Sequence, residues 1–339
     1  MHYVFGPVTS RRLGRSLGID PVPLKTCNWN CVYCQLGRSV PMCHNREEFV
    51  PREAILTQVE HALAAAPEGS IDWITFVGSG EPTLHSGLGW LIRGVRSLTD
   101  LPLAVITNGS LLTDPTVREE LSAADAVLPS IDAGTPAAFW RINRPWPSLT
   151  FEAHISGLIQ FRAQFTAKLW AEVMLVDGMN DSESELRALR QVLESIHPDQ
   201  VSVLSPIRAP AEAWVRCASS QSLARAQTVL GAVAQAPPAG PAAWSLLSDN
   251  DLCDAILSLV TRHPMAEDEL LSISGSNGPP RVLAALRRLE SEALIRTIVR
   301  PERTTWCNAA ARYSDTSAPG DGPSVDSPRA AVPKPDEAD

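Results

Sequence analysis

Between residues 17 and 205, short apolar runs alternate with amphipathic stretches. The runs at 17–22, 71–77, 103–107, 126–131, 169–175 and 200–204 have the length and the β-branched content of buried strands. Helical periodicity fills the intervals at 53–65, 88–98, 115–121, 151–164 and 181–196. The first of these helices follows a proline, and the last offers Asp181 and Ser182 as N-caps with acidic residues in its first turn. Strands separated by single helices imply parallel βαβ units. Six such units predict an α/β fold, a partial (β/α)6 barrel rather than a complete eight-fold one. Chemistry in such barrels gathers at the carboxyl ends of the strands.

Past residue 205 the pattern changes. A helical segment at 221–234 leads into a Pro/Ala-rich stretch, 235–243, that reads as a semi-rigid linker. Helical patterns at 251–262, 267–273 and 280–291 precede two β-like runs, 293–299 and 304–308, turning at 300–303. Three helices and a hairpin are the order of a winged helix. From about residue 314 the chain is mostly Ser, Pro, Gly, Ala and Asp, too polar to bury a core, which predicts disorder. The division expected is a core barrel over 1–215, helix and linker over 216–247, a winged-helix-like domain over 248–310 and a tail over 311–339.

Composition narrows the function classes. Of 339 residues, 44% are hydrophobic and 20% charged, and the net charge is −9. That balance argues against a surface coated for nucleic acid. No run approaches the roughly 18 apolar residues of a membrane helix, and the first dozen residues lack the apolar core of a secretory signal, so a cytoplasmic location is expected. Three of the seven cysteines crowd into one loop while Cys43, Cys217, Cys253 and Cys307 are scattered. This suits metal binding in a reducing compartment better than a disulfide framework.

The run 25–34, KTCNWNCVYC, follows the first predicted strand and places Cys27, Cys31 and Cys34 together. Thiolates are the usual ligands of iron–sulfur clusters, and a cubane normally takes four. Three leave one iron open to chelation by a small molecule. The competing metal is structural zinc, with Cys43 or His44 as a fourth ligand, but no second cysteine pair of suitable spacing follows. The strand at 71–77 runs into Gly78, Ser79, Gly80, Glu81 and Pro82. Glycines there let the backbone approach a ligand, and Pro82 biases Glu81 away from helix. Exposed carbonyls and a carboxylate suit a protonated amino group.

This cysteine spacing, with Tyr33 before the last cysteine, closely resembles the radical S-adenosylmethionine (SAM) superfamily. The resemblance implies a [4Fe–4S] cluster on Cys27, Cys31 and Cys34, Tyr33 against the adenine of SAM, and Gly78, Ser79, Gly80 and Glu81 at its methionine amino group. The alternative for Tyr33 is packing beneath the loop. Thr107-Asn108-Gly109-Ser110 and Pro129-Ser130-Ile131-Asp132 close the third and fourth strands. They put Asn108, Ser130 and Asp132 where ribose hydroxyls and the SAM carboxylate need partners, and Met174 could flank the adenine. For Asn108 and Asp132, ordinary turn chemistry explains the residue types equally well.

The segments 5–18, 34–37, 139–145 and 172–181 are also similar to a subgroup described as iron–sulfur oxidoreductases, related to the synthases of the wyosine base in tRNA. The likeness covers about residues 1–215. It departs at 204–210, LSPIRAP, at the catalytic end. The activity implied is reductive cleavage of SAM and hydrogen abstraction from a substrate such as a tRNA base or a polypeptide, with electrons from a flavodoxin or ferredoxin. A redox sensor or DNA-binding regulator built on the same cluster is the alternative. Arg11, Arg12, Arg15, Arg141, Arg144 and Arg208 are candidates for an anionic substrate, or for ion pairing. No side chain stands out as general acid or base; His2, His85, His154 and Cys43 are candidates with ordinary structural alternatives. A single cluster is expected. The C-terminal helix carries Arg281, Arg287 and Arg288, and the hairpin Arg300 and Arg303, interleaved with acids, which fits nucleic-acid or protein contact.

Overall fold

The computed structural model describes residues 2–10, 12–232, 247–300 and 303–315. One seven-stranded sheet runs in chain order from β1 (Val4–Ser10) through β2 (Gly14–Ile19), β3 (Trp73–Phe76), β4 (Leu103–Thr107), β5 (Ala126–Pro129) and β6 (Lys168–Met174) to β7 (Gln200–Leu204). Strands β2 to β7 are parallel, and β1 pairs antiparallel with β2. The sheet stays open, with β1 and β7 at its edges.

Alternation along the strands explains the layering. Leu17, Ile74, Phe76, Leu103, Val105, Val127, Leu169, Val173, Val201 and Val203 point to one face. There they meet α1 (Arg52–Ala65), α2 (Leu88–Leu98), α3 (Pro115–Leu121), α5 (Phe151–Gln164), α6 (Glu183–Ile196) and α7 (Ser220–Leu230). Helix α4 (Pro136–Asn143) packs instead beneath the cysteine loop. The opposite face carries Ala104, Ala126 and Leu128, plugged by Leu13 from the β1–β2 turn. Helices on a single face, with the other face filled by side chains such as Leu13, Trp73 and Trp170, are the layering of a partial barrel rather than of a doubly wound sheet.

The six predicted strands and five predicted helices are all present, with ends shifted by a few residues. Two elements have no counterpart in the sequence reading. Strand β1 contains Gly6 and Pro7, which argue against a central strand, but β1 is an edge strand with an irregular register between Phe5 and Val8. Helix α4 begins behind Thr135, whose side chain accepts from the Ala138 amide, with Pro136 at its first position. Helix α7 contributes Ala226 and Leu230 to the main core, so the packing of the barrel extends past residue 215.

The C-terminal module follows the predicted order: α8 (Asp249–Arg262), α9 (Glu267–Ser272), α10 (Gly278–Ser291) and a hairpin of β8 (Ile295–Arg300) with β9 (Arg303–Asn308). Leu252, Ile256, Leu270, Leu286 and Trp306 build its own core. It closes on the barrel through a buried ion pair, Arg262 Nε to Asp20 Oδ2 at 2.7 Å. Gly37, at φ +81°, lies against the Arg312 carbonyl, which a Cβ would approach to 2.2 Å. The expected linker at 235–243 lies outside the described residues, as does the expected tail beyond 315; residues 311–315 of that tail are packed, the Ser314 amide donating to the Ala211 carbonyl and the Tyr313 hydroxyl to the Gln35 carbonyl.

Candidate functional site

The cysteine loop leaves β2 through Asp20 and crosses the carboxyl rim of the sheet. Its floor is apolar: Trp29, Val32, Phe139, Ile142 and Val176 are buried, and Cys27, Cys31, Tyr33 and Met174 pack on them. Each sulfur of the triad faces an N–H donor. Cys27 Sγ accepts from the Trp29 amide at 3.4 Å and faces Asn108 Nδ2 at 3.8 Å; Cys31 Sγ faces Asn143 Nδ2 at 3.8 Å; Cys34 Sγ accepts from Lys25 Nζ at 3.1 Å. Donors aimed at sulfur suit thiolates, not thiols.

Burial pushes the Cys27 thiol up to about 11 and Cys31 well above its ordinary range. The neighbouring thiols act on each other in the same direction, so the three are close together in a dry site. Only a strong cationic charge would hold them ionised together, and metal coordination supplies one. Burial works against the Lys25 ammonium, yet the facing sulfurs of Cys34, Cys27 and Cys31 outweigh it and hold its pKa above the ordinary value.

Among the described residues, no three His, Cys, Asp or Glu side chains are gathered tightly enough for a single metal ion. A cluster tolerates the wider spacing, because each thiolate binds a different iron. Cys43 lies beside the loop, its amide bonded to the Cys27 carbonyl, but its thiol turns to the Asn45 carbonyl at 3.7 Å. Cys253 and Cys307 are buried in two separate apolar clusters of the C-terminal part, and the Cys217 thiol donates to the Pro206 carbonyl at 3.1 Å. The residues present therefore fit one cluster on three thiolates and do not form a closed zinc site.

The glycine loop after β3 is folded tightly against the cysteine loop. A Cβ on Gly80 would sit 1.9 Å from the Thr26 carbonyl oxygen, so only glycine fits. The Lys25 amide donates to the Ser79 carbonyl and the Glu81 amide to the Thr26 carbonyl. Ser79 turns its hydroxyl to Asp20 Oδ2 at 2.6 Å. Glu81 is buried and accepts from the Thr83 amide and hydroxyl, the Thr107 hydroxyl and the Asn108 amide. Burial raises its pKa, with those four bonds opposing. Glu81 thus fastens the ends of β3 and β4 together, and Ser79 braces Asp20. The backbone of the loop is what remains to face a ligand.

Asn108 bonds to Asn28 at 2.8 Å, and Asn28 in turn to Ser110 at 2.8 Å. Asp132 is buried, and burial raises its pKa against three donors: the Tyr33 hydroxyl at 2.5 Å, Asn143 at 2.6 Å and the Met174 amide at 2.8 Å. Tyr33 is half-buried in the loop, and its hydroxyl is held by Asp132. Ser130 bridges to Glu172 on β6. All the residues predicted from sequence gather at the rim. Lys25, Asn28 and Asn143 were missed, although Lys25 stands two residues before the first cysteine.

The arginine and histidine candidates divide differently. Arg12 is paired with Glu172, Arg15 with Asp72 at 2.7 Å, and Arg144 with Glu212 at 2.6 Å; Arg141 donates to the Met179 carbonyl. Burial works against the Glu212 carboxylate, but Arg38 and Arg144 prevail and hold it below its ordinary range. Arg11 lies outside the described residues. His85 spans the Val50 carbonyl and the Gly87 amide, and the His154 ring packs against Trp29 and Phe139, which also touch each other. His2 faces Asp254 at 4.0 Å.

Residues 22–189 match the family model of the radical SAM superfamily. A UPF0026 protein of Synechocystis sp. is 41% identical over 206 residues, 60% of this chain and 76% of that protein. One from Helicobacter pylori is 32% identical over 276 residues, 81% of this chain and 88% of that protein. A protein of Brachyspira hyodysenteriae named GTPase Obg is 39% identical over 224 residues, and the alignment spans 66% of this chain but only 33% of that protein. No helix among the described residues is long and apolar enough to cross a membrane. With the family model covering the cysteine and glycine loops, and relatives of which this chain covers 76% and 88%, the chain belongs to the UPF0026 family and is an enzyme of the radical SAM superfamily, whose members use SAM and an iron–sulfur cluster.

Proposed function

We propose that the protein holds one [4Fe–4S] cluster on Cys27, Cys31 and Cys34 and cleaves SAM reductively to abstract hydrogen from a substrate. The observation that carries this reading is the triad itself: three half-buried cysteines, each sulfur facing an N–H donor, with no fourth cysteine turned toward them among the described residues. When bound, cluster and SAM supply a 5′-deoxyadenosyl radical.

The chain's own residues do the positioning. Gly78 and Gly80 let the backbone carbonyls approach the methionine amino group, while Glu81 keeps that loop in register with β4. Asp132 orients Tyr33 against the adenine and draws in the Met174 backbone. Asn108 and Ser130 stand at the same rim for ribose and carboxylate oxygens. The apolar floor of Trp29, Phe139 and Val176 excludes water, which a reactive radical requires.

A flavodoxin or ferredoxin fits as electron donor, and a tRNA base or a polypeptide as substrate, following the likeness to wyosine-type oxidoreductases. The module over 248–310 reads as a winged-helix-like domain, separate from the barrel of 1–215. On it Arg281 is already bonded to Asp249 and Arg288 to Glu292. This neutralisation favours docking of a protein or substrate over tracking of a DNA backbone.

Anaerobic reconstitution with iron and sulfide tests the proposal. A brown protein that releases 5′-deoxyadenosine and methionine from SAM on reduction is the expected result. A colourless protein with stoichiometric zinc, or a brown one inert toward SAM, would overturn it.

A further inference from the structure

Of the chain's 29 lysines and arginines, only Lys25, Lys168 and Lys334 are lysines. One of these three faces the cysteine triad. Lys25 is half-buried, and its ammonium donates to Cys34 Sγ at 3.1 Å. Among the described residues no carboxylate is paired with it. The Glu81 carboxylate, on the adjoining loop, is turned to Thr83, Thr107 and Asn108. The other donors facing the triad are neutral: the Trp29 amide and Asn108 at Cys27, and Asn143 at Cys31. Lys25 alone brings a charge.

The backbone holds Lys25 there against its own preference. The Thr26 amide donates to the Pro23 carbonyl at 3.1 Å, closing a turn in which Lys25 takes a φ of +62°. Glycine or asparagine is the usual occupant of such a position, because a Cβ crowds the left-handed region. The Lys25 amide is bonded to the Ser79 carbonyl, so the turn is also pinned to the glycine loop. Strain of this kind gathers where a residue has a task. Here the turn delivers an ammonium to a sulfur. An ammonium is a compact point charge that can close on one atom, whereas a guanidinium is a flat fork matched to carboxylates and phosphates.

We propose that Lys25 sets the reduction potential of the cluster, acting through Cys34. The inference rests on the reading that Cys27, Cys31 and Cys34 hold a [4Fe–4S] cluster. Reduction adds one electron to that cluster, from a flavodoxin, a ferredoxin or a chemical reductant; no bond forms or breaks and no proton moves. The cluster with its three thiolates becomes one charge more negative. A fixed positive charge beside it favours the more negative state. An N–H donor on a ligand sulfur draws electron density away and works in the same direction. Both raise the potential, so a donor of given strength reduces a larger fraction of the protein. Lys25 touches a ligand sulfur rather than the iron, which makes it a positioning residue whose charge does the tuning.

A dye-mediated redox titration of the reconstituted full chain, without SAM and followed by electron paramagnetic resonance, tests it once iron content has been measured. Lys25→Gly removes the charge and suits the left-handed turn. It should take up iron like the wild type and unfold no more easily. Its midpoint should fall by about 59 mV or more, a tenfold loss in the equilibrium constant for one-electron reduction. Lys25→Arg keeps a charge at the turn and should fall less far. Lys168→Met removes a lysine from the rings of Trp73 and Trp170, at the amino ends of the strands, and should leave the midpoint unchanged. One midpoint shared by wild type and Lys25→Gly overturns the role of Lys25, as does a fall in Lys25→Arg as large as in Lys25→Gly; either leaves the cluster reading standing. A wild type that takes up no iron sinks the cluster reading, and this inference with it. Should Lys25→Gly fail to fold, Lys25→Asn, neutral and at ease in the same turn, carries the comparison.

Discussion

The two ends of the carboxyl rim are built on different plans. Beside β2, β3 and β4, Asp20, Glu81 and Asn108 already accept or donate bonds within the chain, and no rearrangement is needed to shape the backbone cradle. Beyond β7, Arg208 and Arg216 donate to backbone carbonyls, while Arg300 and Arg303 reach the carboxylates of Asp315, Asp268 and Glu269. A preorganised half suits a ligand that every catalytic cycle shares, since electrostatic order set in advance costs nothing at the moment of reaction.

The contrast breaks first at the triad. Cys31→Ala is expected to abolish iron binding and 5′-deoxyadenosine formation together, measured by iron content and product analysis after reconstitution; Cys253→Ala, in the core of the C-terminal module, leaves both in place. Next comes the ion pair that ties the module to the preorganised half. Arg262→Met leaves the Asp20 carboxylate buried without its partner and should cost about 3–5 kcal/mol in denaturant unfolding. An unchanged midpoint would mean that the module does not brace the glycine loop.

A pH series sharpens the same half. Burial lowers His154 from its ordinary 6.5 to about 4. Between those values the unfolded chain binds a proton that the folded chain refuses, so this group's contribution is intact above pH 6.5 and is lost progressively as pH falls toward 4. The stability gap between wild type and His154→Gln should narrow by up to about 3 kcal/mol from pH 7 to pH 4. A constant gap would show that the imidazole is not held neutral.

Gly80→Ala must displace the Thr26 carbonyl and should destabilise by about 1–3 kcal/mol, with a larger loss of SAM affinity than of stability, read by equilibrium dialysis. The smallest effect belongs to Arg187→Gln, whose exposed pair with Glu183 on α6 is expected to matter by less than about 0.5 kcal/mol.

The same division separates what could be read from sequence. The preorganised half rests on contiguous signals: cysteines at fixed spacing, glycines at a strand end, and polar residues closing β4 and β5. Residue type and local position suffice for these. The role of Glu81 as a fastener between strands was not legible, because its partners Thr107 and Asn108 lie more than twenty residues away and no spacing rule links them. Arg12, Arg15 and Arg144 looked available for a substrate because their carboxylate partners, Glu172, Asp72 and Glu212, are also distant in the chain. Arg300 reaches the Pro210 carbonyl, a juxtaposition that only tertiary structure creates. Strand β1 was hidden by Gly6 and Pro7, tolerated because it sits at an edge.

The bond from Arg262 to Asp20 spans 242 residues. A chain emerging from the ribosome exposes Asp20 long before its counter-charge exists. Until the eighth helix is made, that carboxylate must stay hydrated or protonated, and the glycine loop lacks one of its braces, the one that runs through Ser79. The last of these braces is therefore a late event in biosynthesis, timed by the arrival of the C-terminal module rather than by the barrel that carries the motifs.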